Sequence, residues 1–144
     1  MNQDDLTDVL ESCPCFRARA VARRITRDYD EVFKELGLKS TQFSLLAIIK
    51  AKAPSSITTM ADKLAMERTS LIRTLELMES KGLISLAAEG YRRERKISIT
   101  EKGEKVLAQA LPLWRDMQQK FEKRVGRQKW QANKDLWLDI AFGD

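Results

Sequence analysis

Residues 58–84, TTMADKLAMERTSLIRTLELMESKGLI, decide how the chain is read. Ser56 just upstream can accept from the first amides of a short helical segment, Thr58 to Leu64. After a tight break at Ala65 to Glu67, Leu71, Leu75 and Met78 recur at spacings of four and three. That spacing makes one face of a second helix, Arg68 to Lys81, apolar, and Gly82 suits the left-handed residue that closes it. Two helices with so short a connection read as a helix-turn-helix. If the apolar face packs inward, Arg68, Thr69, Ser70, Arg73 and Thr74 face outward. Arg pairs bidentately with guanine, and Ser or Thr contacts base edges or phosphates, so these five are the candidate groove-reading residues.

The next stretch completes the pattern. Leu83 to Leu86 reads as a strand, residues 87–94 as a turn around Gly90, and Lys96 to Thr100 as a returning strand that alternates polar with apolar. The tip holds Arg92, Arg93, Arg95 and Lys96 against Glu94 alone, a local excess of three positive charges. A charge run of this kind is ordinarily a solvated loop. Directly after a helix-turn-helix, it stands where a hairpin reaches flanking backbone or the minor groove of DNA.

Working outward, Val21, Ile25, Tyr29, Val32 and Leu36 mark one amphipathic helix from about Cys15 to Leu36, stopped by Gly37. Ser40 or Thr41 is expected to cap the next helix, which carries Phe43, Leu46 and Ile49. Downstream, Val106, Ala110, Leu113, Met117, Phe121 and Val125 form a long stripe, broken near Gly126 and resumed at Trp130, Leu136, Trp137 and Ile140. Pro112 is expected to bend it. The expected fold is a single, mainly α domain. A winged helix-turn-helix lobe covers about 38–100, and helices at about 12–36 and 101–142 flank it as dimerisation arms.

Composition sets the bounds. The chain has 144 residues, with 26 Lys plus Arg against 21 Asp plus Glu for a net charge of +5, and it contains no His. That size suits one domain, and the basic balance is compatible with an anionic partner. The charge is polarised: Asp4, Asp5, Asp8 and Glu11 come first with no base among them, then Arg17, Arg19, Arg23, Arg24 and Arg27. No apolar run reaches the length of a membrane span, and the acidic start is unlike a secretory signal, so a cytoplasmic location is expected.

Three segments, ELGLKSTQFSLLAII (35–49), the opening stretch (58–84) and RRERKISITEKG (92–103), together resemble the MarR family of bacterial transcription regulators over nearly the whole chain. The resemblance implies a homodimeric winged-helix protein whose first and last helices interlock. It puts the helix of Arg73 in the major groove and the hairpin of Arg93 on DNA as the wing. Family members commonly carry an Asp before the wing Arg pair, where this chain has Tyr91. A dimer suits a palindromic operator, with half-sites roughly 34 Å apart. Trp114, Met117, Phe121, Trp130, Trp137 and Phe142 supply large apolar groups for an interface, or else close a monomer core. The implied mode of regulation is loss of DNA affinity on binding a small molecule or on oxidation, most readily as a repressor.

Cys13 and Cys15 flank Pro14 at a helix start, where unpaired amides and Arg17 and Arg19 favour a thiolate. Cys15, Phe16 and Tyr29 resemble the organic-peroxide-sensing branch of the family, although Arg19 and Ser40 stand where that branch generally has tyrosines. Cys15, Cys13 and Tyr29 are thus candidate redox-sensing residues, and buried unreactive thiols are the plain alternative. A thiol-based redox enzyme would want Cys-x-x-Cys and a base, and neither is present, so no catalysis is expected. A winged helix that binds protein in place of DNA is the remaining class. No cofactor motif is seen, and the lack of His disfavours most zinc sites.

Overall fold

Among the described residues Gly37, Ala65, Gly82 and Gly126 have positive φ and stand at breaks between elements. The computed structural model describes residues 2–52, 56–87 and 96–143. Among these the order is α1 (Gln3–Ser12), α2 (Pro14–Val32), a 3₁₀ turn (Lys34–Leu36), α3 (Ser40–Lys52), α4 (Ile57–Lys63), α5 (Arg68–Ser80), β1 (Ile84–Leu86), β2 (Ile97–Ile99), α6 (Glu101–Val125) and α7 (Arg127–Phe142). Gly37 (φ 62°) turns the chain out of the 3₁₀ segment, with Leu38 N–H reaching back to the Phe33 carbonyl at 3.3 Å. Gly126 (φ 96°) separates α6 from α7.

Several expectations are corrected. The acidic N-terminus, read from the sequence only for its charge, forms α1, capped by the Asn2 side chain. The first long helix stops at Val32, and Leu36 belongs to the 3₁₀ turn. Neither Ser40 nor Thr41 caps α3. Asp30 of α2 accepts from Ser40 N at 2.8 Å, and Gln42 Oε1 accepts from Lys39 N at 3.1 Å. The cap comes from a residue ten positions upstream, which a local reading cannot find. Burial raises the Asp30 carboxyl, but the hydrogen bonds from Ser40 and the nearby Lys39 outweigh it and hold the group below its ordinary value. The stripe from Val106 to Val125 lies, as expected, on one helix, α6, which contains Pro112.

Leu71, Leu75 and Met78 are buried, as their spacing predicts. Leu45 and Leu46 of α3, Met60 of α4, Leu71, Leu75 and Met78 of α5, and Ile84 of β1 are fully buried, and Leu107 and Ala110 of α6 lie against them. A row of rings, Tyr29, Phe33, Phe43 and Trp114, ties α2 to α3 and α6 with centroid separations of 6.3, 4.8 and 6.4 Å. β1 and β2 are antiparallel, pairing Ile84 with Ile99 and Leu86 with Ile97. At the base of this hairpin, Thr100 caps α6 by accepting from Gly103 N and donates its own hydroxyl to the Gly82 carbonyl.

Elsewhere the chain leaves apolar surface uncovered. Leu6, Val9 and Leu10 of α1, Phe16 and Val21 of α2, and Leu136, Trp137, Leu138, Ile140 and Phe142 of α7 are all exposed. By contrast Phe121 is buried within the chain, and Trp114 and Met117 are half-buried. The tryptophan- and phenylalanine-rich C-terminal segment therefore divides. Its first part closes the core, and its last helix presents an apolar face.

Candidate nucleic-acid interface

α5 is fixed from one side only. Its buried Leu71, Leu75 and Met78 anchor it, and Arg68, Thr69, Ser70 and Arg73 project into solvent. Neither Arg68 nor Arg73 has an ion-pair partner among the described residues. Thr74 fits less well: it is half-buried, and its hydroxyl donates to the Ser70 carbonyl at 3.0 Å, so only its lone pairs remain for an external donor.

The turn that aims α5 is tight. Met66 N–H reaches the Ala61 carbonyl at 3.0 Å across Ala65, whose φ is 48°. This is the usual way to end a helix on a left-handed residue, with alanine where glycine is easiest. Glu67 precedes α5 in extended conformation without a side-chain cap, so the first amides of α5 face outward beside Arg68, a favourable setting for a phosphate.

Two side chains that local reading missed tie α5 to its surroundings, one to the hairpin and one to the turn before α3. Glu79 Oε1 accepts from Leu86 N at 2.8 Å, and Lys81 Nζ reaches the Gly37 carbonyl at 3.1 Å. Glu79 thus pins β1 to the helix that precedes it. Ala87 N–H bonds the Lys96 carbonyl at 3.0 Å, which continues the ladder toward the tip. The expected wing arginines, Arg92, Arg93 and Arg95, lie outside the described residues, and Lys96 at the edge of the hairpin is exposed.

The candidate redox residues fall at the α1–α2 junction. Cys13 is the half-buried residue before α2, Pro14 occupies its first position, and Cys15 is exposed in the first turn; both are free thiols. Tyr29 does not join them within one chain, because fourteen residues of helix set it about 21 Å along the axis. Its hydroxyl donates to Gln118 Oε1 at 3.1 Å, and burial followed by the Glu122 charge raises it above the ordinary phenol value. Among the described residues no cluster of three or more His, Cys, Asp or Glu side chains is placed to hold a metal, and no helix is long and apolar enough to cross a membrane.

Between α2, α3 and α6 lies a cavity of about 750 Å³. Tyr29, Phe43, Trp114 and Trp130 form part of its wall, and Leu64 and Met66 from the turn before α5 close it on the side of α5.

A short helix, a tight turn, a second helix with Arg68 and Arg73 turned outward and an antiparallel hairpin define a winged helix-turn-helix, the class of DNA-binding transcription regulators. The M. tuberculosis transcriptional regulator MosR in complex with DNA is 34% identical, with a TM-score of 0.82, over 90% of this chain and 94% of that one. A second MosR crystal structure gives 32% identity and a TM-score of 0.75 over 91% and 98%. The fold is also that of CouR from Rhodococcus jostii RHA1 bound to p-coumaroyl-CoA, at 17% identity and a TM-score of 0.76 over 94% of this chain and 96% of that one. No family model matches the chain. With its identity to MosR and the shared fold, the chain belongs to the MarR family of DNA-binding transcriptional regulators. These relatives are regulators, not enzymes.

Proposed function

We propose that the protein works as a cytoplasmic homodimeric repressor on a pseudo-palindromic operator, with Arg68, Thr69, Ser70 and Arg73 in the major groove. Thr74 acts there only as an acceptor. Arg92, Arg93 and Arg95 serve as wing contacts. The observation that carries this reading is the two-faced α5, whose apolar side is fully buried while Arg68 and Arg73 stand exposed and unpaired. The dimer reading rests on the large apolar side chains that α1, α7 and the start of α2 leave exposed, which a partner chain would cover. The arms at 12–36 and 101–142 are thereby assigned to dimerisation and 38–100 to DNA.

Release is assigned to a small molecule in the cavity against Leu64 and Met66, a role supported by the p-coumaroyl-CoA bound to CouR. A second input is oxidation at Cys15, with Cys13 as resolving thiol, supported by the exposure of Cys15 in the first turn of α2. The test is binding to DNA from the protein's own promoter region across a salt series, with and without reductant and a brief organic-peroxide treatment. Tight, salt-dependent, sequence-selective binding is expected, with reversible loss on oxidation. Binding indifferent to sequence would sink the operator reading, and binding indifferent to peroxide would sink the redox input.

A further inference from the structure

Three consecutive carbonyls follow the last turn of α5, those of Lys81, Gly82 and Leu83, and each accepts from the start of α6. Lys102 Nζ donates to the Lys81 carbonyl at 2.6 Å, Thr100 Oγ1 to the Gly82 carbonyl at 2.6 Å, and Thr100 N to the Leu83 carbonyl at 3.1 Å. The stem of Lys102 crosses Gly82, with its Cδ 3.8 Å from where a Cβ on that glycine would stand. From the same corner Lys81 Nζ donates in the other direction, at 3.1 Å, to the carbonyl of Gly37, which ends the 3₁₀ turn that follows α2. The C-terminal end of α5 is thus tied both to α6 and to the end of α2.

Neither Lys81 nor Lys102 has an ion-pair partner among the described residues. Both ammonium groups are held on backbone carbonyls, and a cation at a helix C-terminus also lies in the favourable field of that helix. Leu71, Leu75 and Met78 hold α5 down on the core, but apolar contact has no direction of its own. Hydrogen bonds do, and here they join α5 to α6, a helix of 25 residues that packs on α2 and α7.

We infer that Lys102 and Lys81 are positioning residues for DNA recognition: they clamp the end of α5 to the two arms and so set the distance and angle between the reading helices of a dimer. Neither touches a base. The inference rests on the two-fold operator reading above and adds to it what fixes the half-site spacing. The lever is long enough to matter. With 13 residues, α5 carries Arg68 about 18 Å from the clamp, so a tilt of about 5° there displaces Arg68 by about 1.6 Å. Hydrogen bonds to a base edge tolerate only about 0.5 Å.

The test takes the duplex from the protein's own promoter region that it protects from nuclease and rebuilds it with one or two base pairs inserted or removed at the centre. Each base pair shifts one half-site by about 3.4 Å and turns it by about 35°. The parent is expected to prefer the natural spacing at least tenfold. Lys102→Met, which keeps the length of the side chain without a donor, should weaken binding at that spacing about threefold to tenfold, the scale of one net hydrogen bond in each chain. It should leave the altered spacings nearly unchanged, so that the profile flattens, and Lys81→Met should flatten it likewise. Lys102→Arg, which still offers a donor to the Lys81 carbonyl, should restore the parent's profile. Equal loss at every spacing would overturn the inference, since a phosphate contact or a general loss of stability acts in that way, and so would an unchanged profile. A parent indifferent to spacing would refute the two-fold operator reading and the inference with it, whereas a selective parent beside variants equally selective would refute the inference alone.

Discussion

Replacing Gly103 by alanine tests whether α6 and the base of the wing are as closely joined as the structure has them. A Cβ at this position would lie 2.0 Å from the Leu83 carbonyl oxygen and 2.8 Å from Ile99 Cγ1. Restoring an ordinary contact requires α6 to withdraw from β1 by more than about 1 Å, and the obstacle is backbone rather than a flexible side-chain end. The same Leu83 carbonyl accepts from Thr100 N at 3.1 Å, so withdrawal also loosens the cap of α6. Overpacking and the weakened cap together cost about 2–4 kcal/mol. Against this, alanine is favoured over glycine in a helix by about 1 kcal/mol. The net expectation is a loss of about 1–3 kcal/mol, or about 3–10 °C in Tm. Thermal or urea unfolding at fixed protein concentration measures it, so that mass action does not enter the comparison. The sign is decisive. A variant as stable as the parent, or more stable by the helix-propensity gain, would refute the close approach.

Other outcomes follow from the same geometry. Arg73→Ala should lower affinity for the specific operator by about 1–3 kcal/mol and relax base preference, measured by fluorescence anisotropy on a panel of single-base variants; a uniform loss on all sequences would make Arg73 a phosphate contact. Glu79→Ala should weaken DNA binding by freeing β1 from α5, and Glu79→Gln, which still offers an acceptor to Leu86 N, should bind nearly as the parent; equal behaviour of the two would remove Glu79 as a positioning residue. Ala65→Gly should stabilise the chain by about 0.5–1 kcal/mol in urea unfolding, because the left-handed turn before α5 then holds the residue that suits it; a destabilised variant would argue against the φ of 48°. The hydrogen bond from Arg124, with the bond and charge of Arg24, holds the Asp28 carboxyl below its ordinary value, so the contribution of this pair is present above the unfolded carboxylate pKa and is lost as pH falls through the lower folded one. Asp28→Asn should therefore flatten the acid limb of the stability profile below about pH 4, and an unchanged limb would deny the pairing.

What was legible in the sequence is what local periodicity encodes. Leu71, Leu75 and Met78 recur on one helical face and are buried together, and Gly37 and Gly126 stand at real breaks. What escaped depends on contacts distant along the chain. The Asp30 cap of α3, the Glu79 bond to β1 and the close passage of Gly103 beneath Leu83 involve ordinary residues in ordinary places until the fold brings their partners near. α1 escaped for a different reason: it is ten residues long, with Leu6, Val9 and Leu10 alone to mark its apolar side, and none of its residues is buried against its own chain. The five groove candidates followed from subtraction, and subtraction cannot see that Thr74 spends its hydroxyl on Ser70.

The position of the cavity relative to α5 determines how a ligand would act on DNA binding. Leu64 and Met66 line it and belong to the turn held by the Met66-to-Ala61 bond, and Arg68 begins α5 two residues later. A ligand that lowers DNA affinity a hundredfold must bind the DNA-incompetent arrangement a hundredfold more tightly, a difference of about 2.7 kcal/mol. Contacts to α2 and α6 alone supply none of this difference if those helices keep the same arrangement in both states. The discriminating contacts then have to be made to elements that move with α5, and Leu64 and Met66 are the wall residues closest to it in the chain. The left-handed Ala65 between them is the part of that turn least suited to its conformation, so the turn is where a modest difference in ligand contact has the least resistance to overcome. Met66→Ala should accordingly reduce the ligand's effect on DNA affinity more than it reduces ligand binding itself. Equal losses in both would locate the discrimination elsewhere in the cavity.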